Sequence, residues 1–158
     1  MKYIGPDFCN ITSLLSDEEL LIQKTANEFV AKEFLPVVNE YYEKGSFPKE
    51  LIGRMGDLGF FGATLPKKYG GSEISSTAYG LIMQELEKGD SGLRSVCSVQ
   101  GGLVMYPIFE YGSEEQKEKW LPKLAAGKAV GCFGLTESNH GSDPGGMTTK
   151  AEKMETIG

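Results

Sequence analysis

The stretch Gly131-Cys132-Phe133-Gly134-Leu135-Thr136-Glu137-Ser138-Asn139-His140-Gly141-Ser142-Asp143-Pro144 decides how this chain is read. An apolar run with strand character enters a polar turn broken by glycine. That places small side chains and free backbone N–H groups where an anionic cofactor can approach. On residue types alone, an ordinary Asx-rich β-turn is the competing reading.

Upstream of this loop the hydrophobic period is helical. Ser16-Asp17-Glu18-Glu19 is a capping-box pattern, and the apolar positions Leu20, Ile22, Phe29 and Val30 predict a helix running to about Phe34. Pro36 kinks or ends it, and a shorter helical piece follows over residues 37–42, up to Gly45. Pro48 suits the first turn of a helix over residues 50–58, with Gly59 as its stop. Residues 60–66 read as a non-helical apolar crossing and residues 67–71 as a turn. Ser75 or Ser76 caps a helix to Lys88, and Gly89-Asp90-Ser91 breaks it and caps the next, over residues 92–111. Ser113-Glu114-Glu115-Gln116 is a second capping box, opening a helix through Leu124 that closes at Gly127.

Past residue 128 the period changes. Residues 130–136 and 147–153 read as strands on either side of the glycine-rich turn. The expected fold class is mostly α: a helical domain over residues 1–128, then residues 129–158 as the beginning of an incomplete β-domain.

Composition excludes several function classes. The formal net charge is −6, from 16 Lys and Arg against 22 Asp and Glu, with no basic run, so nucleic acid is not an expected partner. No stretch of about 18 apolar residues occurs, so no membrane span is expected, and Met1-Lys2-Tyr3-Ile4-Gly5-Pro6-Asp7 lacks a signal-peptide core. Cys9, Cys97 and Cys132 are odd in number and form no C-x-x-C pair, which fits a reducing compartment and neither a disulfide framework nor a zinc site. Each is read as a small buried hydrophobe.

Arg94 stands out because a cation beside the apolar run Val96-Cys97-Ser98-Val99 is costly to bury without an anionic partner. Its alternative is an exposed first-turn residue paired with Asp90 or Glu87. His140, the only histidine, is read as packing in the turn rather than as an acid or base. Glu114, Glu115, Lys117 and Lys119 read as a solvated helix face, and Trp120 as a core or domain contact.

Taken with Glu85-Leu86-Glu87-Lys88-Gly89-Asp90-Ser91-Gly92-Leu93-Arg94-Ser95, the loop closely resembles the acyl-CoA dehydrogenase flavoproteins, and among them the glutaryl-CoA dehydrogenases. Further similar segments are Met55-Gly56-Asp57-Leu58-Gly59, Tyr69-Gly70-Gly71, Tyr111-Gly112-Ser113-Glu114-Glu115-Gln116 and Lys119-Trp120-Leu121-Pro122. Their order and spacing span nearly the whole chain. Ser138 and His140 depart from the family pattern, standing where proline and a small residue are usual.

The resemblance implies an N-terminal portion of a longer FAD enzyme that ends inside the middle β-domain. Phe133, Gly134, Leu135 and Thr136 take the places along the isoalloxazine, and Gly141 with Ser142 the places near the phosphates and the acyl-CoA thioester. Arg94 takes the place facing the distal carboxylate of the substrate, with Glu87 in its network and Ser95 and Ser98 at the same end of the pocket. The implied reaction oxidises the Cα–Cβ bond of an acyl-CoA, here glutaryl-CoA. A carboxylate base removes the α-proton, hydride passes to the flavin, and electrons leave to an electron-transfer flavoprotein. Decarboxylating members continue to crotonyl-CoA. The base is expected from a C-terminal helical domain, so no catalytic residue and no metal ligand is assigned in this chain.

A homotetramer is implied for the full-length protein, cytoplasmic in a bacterium or in the mitochondrial matrix if processed in a eukaryote. The alternatives are an enzyme for a neutral short-chain acyl-CoA, and a truncated module that binds without catalysis.

Overall fold

The computed structural model describes residues 7–152, and within them the architecture is helical. The elements are α1 (Asp17–Phe29), α2 (Leu35–Glu43), α3 (Glu50–Asp57), α4 (Ser76–Gly89), α5 (Ser91–Ser98), α6 (Tyr106–Tyr111) and α7 (Glu114–Ala125). Short 3-10 turns lie at Ile11–Leu14, Lys67–Tyr69 and Pro144–Gly146.

The helix starts follow the caps written in the sequence. Ser16 Oγ accepts from the Glu19 amide at 3.3 Å while the Glu19 carboxylate accepts from the Ser16 amide at 3.0 Å. Ser113 and Gln116 repeat this box on α7. Ser75, not Ser76, caps α4 through the Ala78 amide, and Asp90 caps α5 through the amides of Gly92 and Leu93. Each such cap is worth about 0.5–2 kcal/mol. One contact joins two of them: the Ser75 hydroxyl donates to Glu19 at 2.8 Å, tying the N-termini of α1 and α4 together. The Glu19 carboxyl is held below its ordinary range, first by the Ser16 amide and then by this hydroxyl.

The two long helical stretches are not uniform. Residues Val30–Phe34 and Val99–Met105 are π-helical, and each is followed within two residues by a proline, Pro36 or Pro107. A proline inside a helix lacks an N–H and crowds the carbonyl four residues back. The widened turn, in which the amides of Leu35 and Tyr106 reach back five residues to the carbonyls of Val30 and Gly101, lets the chain continue as helix through that fault.

The core lies between α1, α4 and α5, closed below by the crossing over residues 60–66. Phe29, Phe34, Phe60, Phe61, Ile82, Leu86 and Leu93 are all buried there. Phe29 and Phe60 meet edge to face, with ring centroids 5.7 Å apart. Burial of each large side chain contributes about 1.5–3 kcal/mol. Gly59, with φ of 73°, supplies the left-handed stop after α3.

Two expectations are corrected. Residues 130–136 and 147–152 form no strand: the only β-type pairing among the described residues is the isolated bridge between Glu137 and His140. A strand exists through its ladder, and no described segment pairs with either stretch. Residue 153 lies outside the described residues. Cys97 is a buried hydrophobe as expected, but Cys9 and Cys132 are exposed.

Candidate functional site

Two clusters carry the polar chemistry. The first lies where α4 ends and α5 begins. The reversal at Asp90 brings the C-terminal turn of α4 against the first turns of α5, so that Glu87 and Arg94 face one another. Arg94 Nε donates to Glu87 Oε2 at 2.7 Å and Nη1 donates to Ser98 Oγ at 3.2 Å. Ser91 Oγ donates to the other Glu87 oxygen at 2.7 Å, and Ser98 Oγ in turn donates a hydrogen bond to the Ser95 carbonyl at 3.2 Å.

Of the two partners considered for Arg94, the structure selects Glu87, because Asp90 is occupied as the α5 cap. The Glu87 carboxyl sits below its ordinary value, first through the Arg94 hydrogen bond and then through Ser91. Arg94 keeps about a third of its side chain exposed, and its Nη2 has no protein partner among the described residues. Glu87, Arg94 and Ser98 are thus joined in one network. Ser95 enters it only through its backbone carbonyl.

Tyr79 of α4 extends this cluster. Burial raises its phenol above the ordinary value, the neighbouring Cys97 adds to this, and the Arg94 charge opposes it. Tyr79 lines a cleft of about 310 Å³ together with Phe61, Thr64, Ser76, Gly101 and Tyr106. The π-helical turn contributes Gly101 and Gly102 to its wall, so no side chain projects from that side.

The second cluster is the loop after α7. Phe133, Gly134, Leu135 and Thr136 lie outside any helix or strand and are exposed, with backbone amides unpaired among the described residues. Gly141 and Ser142 are also exposed, and open space surrounds Gly134 and Gly141 where a Cβ would stand. The loop is shaped by Glu137. Its carboxylate accepts from the Thr148 amide at 3.0 Å, the Thr148 hydroxyl at 3.2 Å and the Thr149 amide at 2.7 Å, and the Thr148 amide first, then the Thr149 side chain and amide, lower its pKa to about 2. His140 donates its backbone N–H to the Glu137 carbonyl, and its ring packs against Gly146. Unpaired amides, an unpaired Thr136 hydroxyl and the exposed apolar faces of Phe133 and Leu135 suit a flat ring system with polar edges laid along residues 133–136.

Three carboxylates near these clusters are already committed. Glu85 is buried and accepts from Gln23 Nε2, Asn27 Nδ2 and Lys88 Nζ at 2.6–3.1 Å. Glu87 is paired with Arg94, and Glu137 is held as an anion by the loop. None is free to take a proton from carbon.

Three residues with structural parts here escaped the sequence reading: Tyr79, Glu137 and Gln100. Gln100 is only 2 % exposed within an apolar stretch of the π-helical turn. The burial argument that singled out Arg94 applies to it equally. Among the described residues no cluster of His, Cys, Asp or Glu fits a metal ion, and no helix is long and apolar enough to cross a membrane.

Known proteins resemble the chain over most of its length. Two crystal structures of glutaryl-CoA dehydrogenase from Mycobacterium smegmatis superpose on the chain. One has a TM-score of 0.88 and 48 % identity over 94 % of this chain and 38 % of that one. The other, in complex with FADH2, has a TM-score of 0.86 and 47 % identity over 89 % and 36 %. Butyryl-CoA dehydrogenase from Megasphaera elsdenii matches with a TM-score of 0.78 and 40 % identity over 85 % of this chain and 36 % of that one. A probable acyl-CoA dehydrogenase of Bacillus subtilis is 39 % identical over 139 residues, which are 87 % of this chain and 36 % of that protein. The chain therefore spans about a third of the length of such relatives. The model of the acyl-CoA dehydrogenase N-terminal domain matches residues 16–128, and the chain belongs to the acyl-CoA dehydrogenase family.

Proposed function

We propose that the full-length protein is an FAD-dependent dehydrogenase of acyl-CoA thioesters whose substrate is glutaryl-CoA. The observation that carries the substrate is the Arg94 guanidinium, oriented by Glu87 and Ser98, partly exposed and with one amino group unpaired. A fixed guanidinium with a free edge suits a carboxylate. The crystal structures of glutaryl-CoA dehydrogenase that superpose on this chain support the same choice.

FAD, bound along residues 133–136 with its phosphates toward Gly141 and Ser142, would supply the hydride acceptor. The chain's own residues bind and orient. The amides of residues 133–136 and the Thr136 hydroxyl present dipoles to the ring edge, Glu137 holds the loop that carries them, and Arg94 fixes the distal end of the acyl group. With Glu85, Glu87 and Glu137 engaged, the α-proton is assigned to a base on another part of the protein. An electron-transfer flavoprotein is the proposed acceptor, and a homotetramer the proposed assembly.

A second reading has its own support. The Arg94 charge is already balanced by Glu87, so a neutral short-chain acyl group is also accommodated, in keeping with the butyryl-CoA dehydrogenase match. Steady-state rates of the full-length protein on glutaryl-CoA and butyryl-CoA, with an artificial electron acceptor, test the two. Preference for glutaryl-CoA in kcat/KM supports the first reading, and preference for butyryl-CoA the second. Crotonyl-CoA among the products of glutaryl-CoA would add decarboxylation.

A further inference from the structure

The π-helical turn between α5 and α6 holds a side chain that joins the helical body to the loop. Gln100 Nε2 donates to the Leu124 carbonyl at 3.0 Å and to the Ala129 carbonyl at 2.8 Å, and its Oε1 accepts from the Gly131 amide at 3.0 Å. These bonds use both amide protons and the oxygen of a side chain that is 2 % exposed. One partner is at the C-terminal end of α7. The other two flank residue 130, three residues before Phe133. No other hydrogen bond between the Gly131 amide and the protein exists among the described residues.

The geometry of this carboxamide copies that of a neighbouring strand. It offers a donor and an acceptor to one edge of an extended segment, at the place where a ladder would otherwise begin. Val104 adds a packing contact, since a Cβ on Gly131 would stand 2.3 Å from Val104 Cγ1. The segment is therefore held in register from two sides by the same helical turn. A one-residue slip would break the bonds to the Ala129 carbonyl and from the Gly131 amide and leave the buried carboxamide short of two partners, which is what penalises the slip.

We propose that Gln100 is a positioning residue which sets the register of residues 129–136 on the helical body, and through it the placement of the flavin-contacting amides. The flavin half of this statement rests on the function proposed above. Glu137 closes the far side of the loop and Gln100 anchors its entry, so the two act at opposite ends of one ligand-binding segment.

The test is made on the full-length protein with Gln100→Met, which keeps the length and removes all three bonds. Loss of these bonds should speed exchange of the Gly131 amide, the one amide that Gln100 holds, by about tenfold or more, with α4 and α5 protected as before. The FAD dissociation constant should rise by about the same factor, and the visible flavin band should change shape. Unchanged exchange of the Gly131 amide would overturn the clasp. So would global loss of helix by circular dichroism, since the effect would then not be local to the loop. Local loosening with FAD affinity and spectrum unchanged would overturn the positioning role. A wild-type protein that binds no FAD would instead overturn the functional reading, while the exchange comparison still decides whether Gln100 holds the register.

Discussion

The carboxylate of Glu137 accepts the backbone N–H of Thr149 at 2.7 Å, so one surface side chain closes a loop of twelve residues on itself. Two further bonds from Thr148 complete the closure. The Thr148 amide, then the Thr149 side chain and amide and the Thr148 hydroxyl all favour the anion, and the folded pKa falls from 4.5 to about 2. A group whose folded pKa is depressed stabilises the loop fully above the unfolded value, and that contribution is lost as pH falls through the folded one. Protection of the Thr148 and Thr149 amides should hold at pH 6 and fall between about pH 4.5 and pH 2. Glu137→Gln should show the loosened loop at every pH. Equal protection in the variant at pH 6 would mean that the loop is held by something else.

Glu85 predicts a global effect rather than a local one. It lies in the α1–α4 contact, with two amide donors from α1 and the Lys88 ammonium as partners. Glu85→Ala removes the acceptor and leaves Gln23 and Asn27 facing an apolar void, a loss of about 2–4 kcal/mol. Glu85→Gln keeps an acceptor oxygen but turns an amide toward other donors, so it should cost less. Urea midpoints at constant m-value measure both. If the alanine variant were as stable as wild type, the network would be ornamental to the fold.

Much of the helical domain was legible because its signals are local. Ser16, Ser113, Ser75 and Asp90 cap where the sequence places caps, since a cap reaches only two or three residues along the chain. The links that hold the site together span much more. Glu85 reaches back 58 to 62 residues and Gln100 forward 24 to 31, distances that no periodicity encodes. The π-helical turns fall between these cases. Pro36 and Pro107 mark where a helix must adjust, but only packing decides between a kink and a widened turn. The strands expected at residues 130–136 and 147–152 fail for a different reason. Alternation states a preference for a ladder, and the ladder needs a partner segment.

Gly56 and Gly80 separate close packing from conformational freedom. A Cβ on Gly56 of α3 would stand 2.4 Å from the Ala126 carbonyl carbon, so Gly56→Ala must push α3 off the end of α7. The cost should be about 1–3 kcal/mol, typical of overpacking. Nothing lies within 4 Å of the corresponding point on Gly80, an exposed residue inside α4. Gly80→Ala should therefore stabilise by about 0.5–1 kcal/mol through helix propensity. Opposite shifts of thermal midpoint are expected, and shifts of the same sign would contradict the packing described for α3 and α7.

Arg94 bears on what the enzyme discriminates. In the structure its guanidinium gives Nε to Glu87 and Nη1 to Ser98, and the unpaired Nη2 is proposed to meet the distal carboxylate of glutaryl-CoA. Arg94→Gln in the full-length protein removes that partner and also releases Glu87, which then adds an unbalanced negative charge beside the substrate anion. Truncating one member of a desolvated charge pair costs about 2–5 kcal/mol, so kcat/KM for glutaryl-CoA should fall by roughly 30-fold to several thousand-fold. Butyryl-CoA brings no distal charge and should lose far less. Glu87→Gln is the control: it leaves the guanidinium in place without its internal counter-charge, so glutaryl-CoA binding should weaken less than in Arg94→Gln, or even tighten. Equal losses on both substrates in Arg94→Gln would make the pair with Glu87 a brace between α4 and α5, and would favour the neutral short-chain substrate.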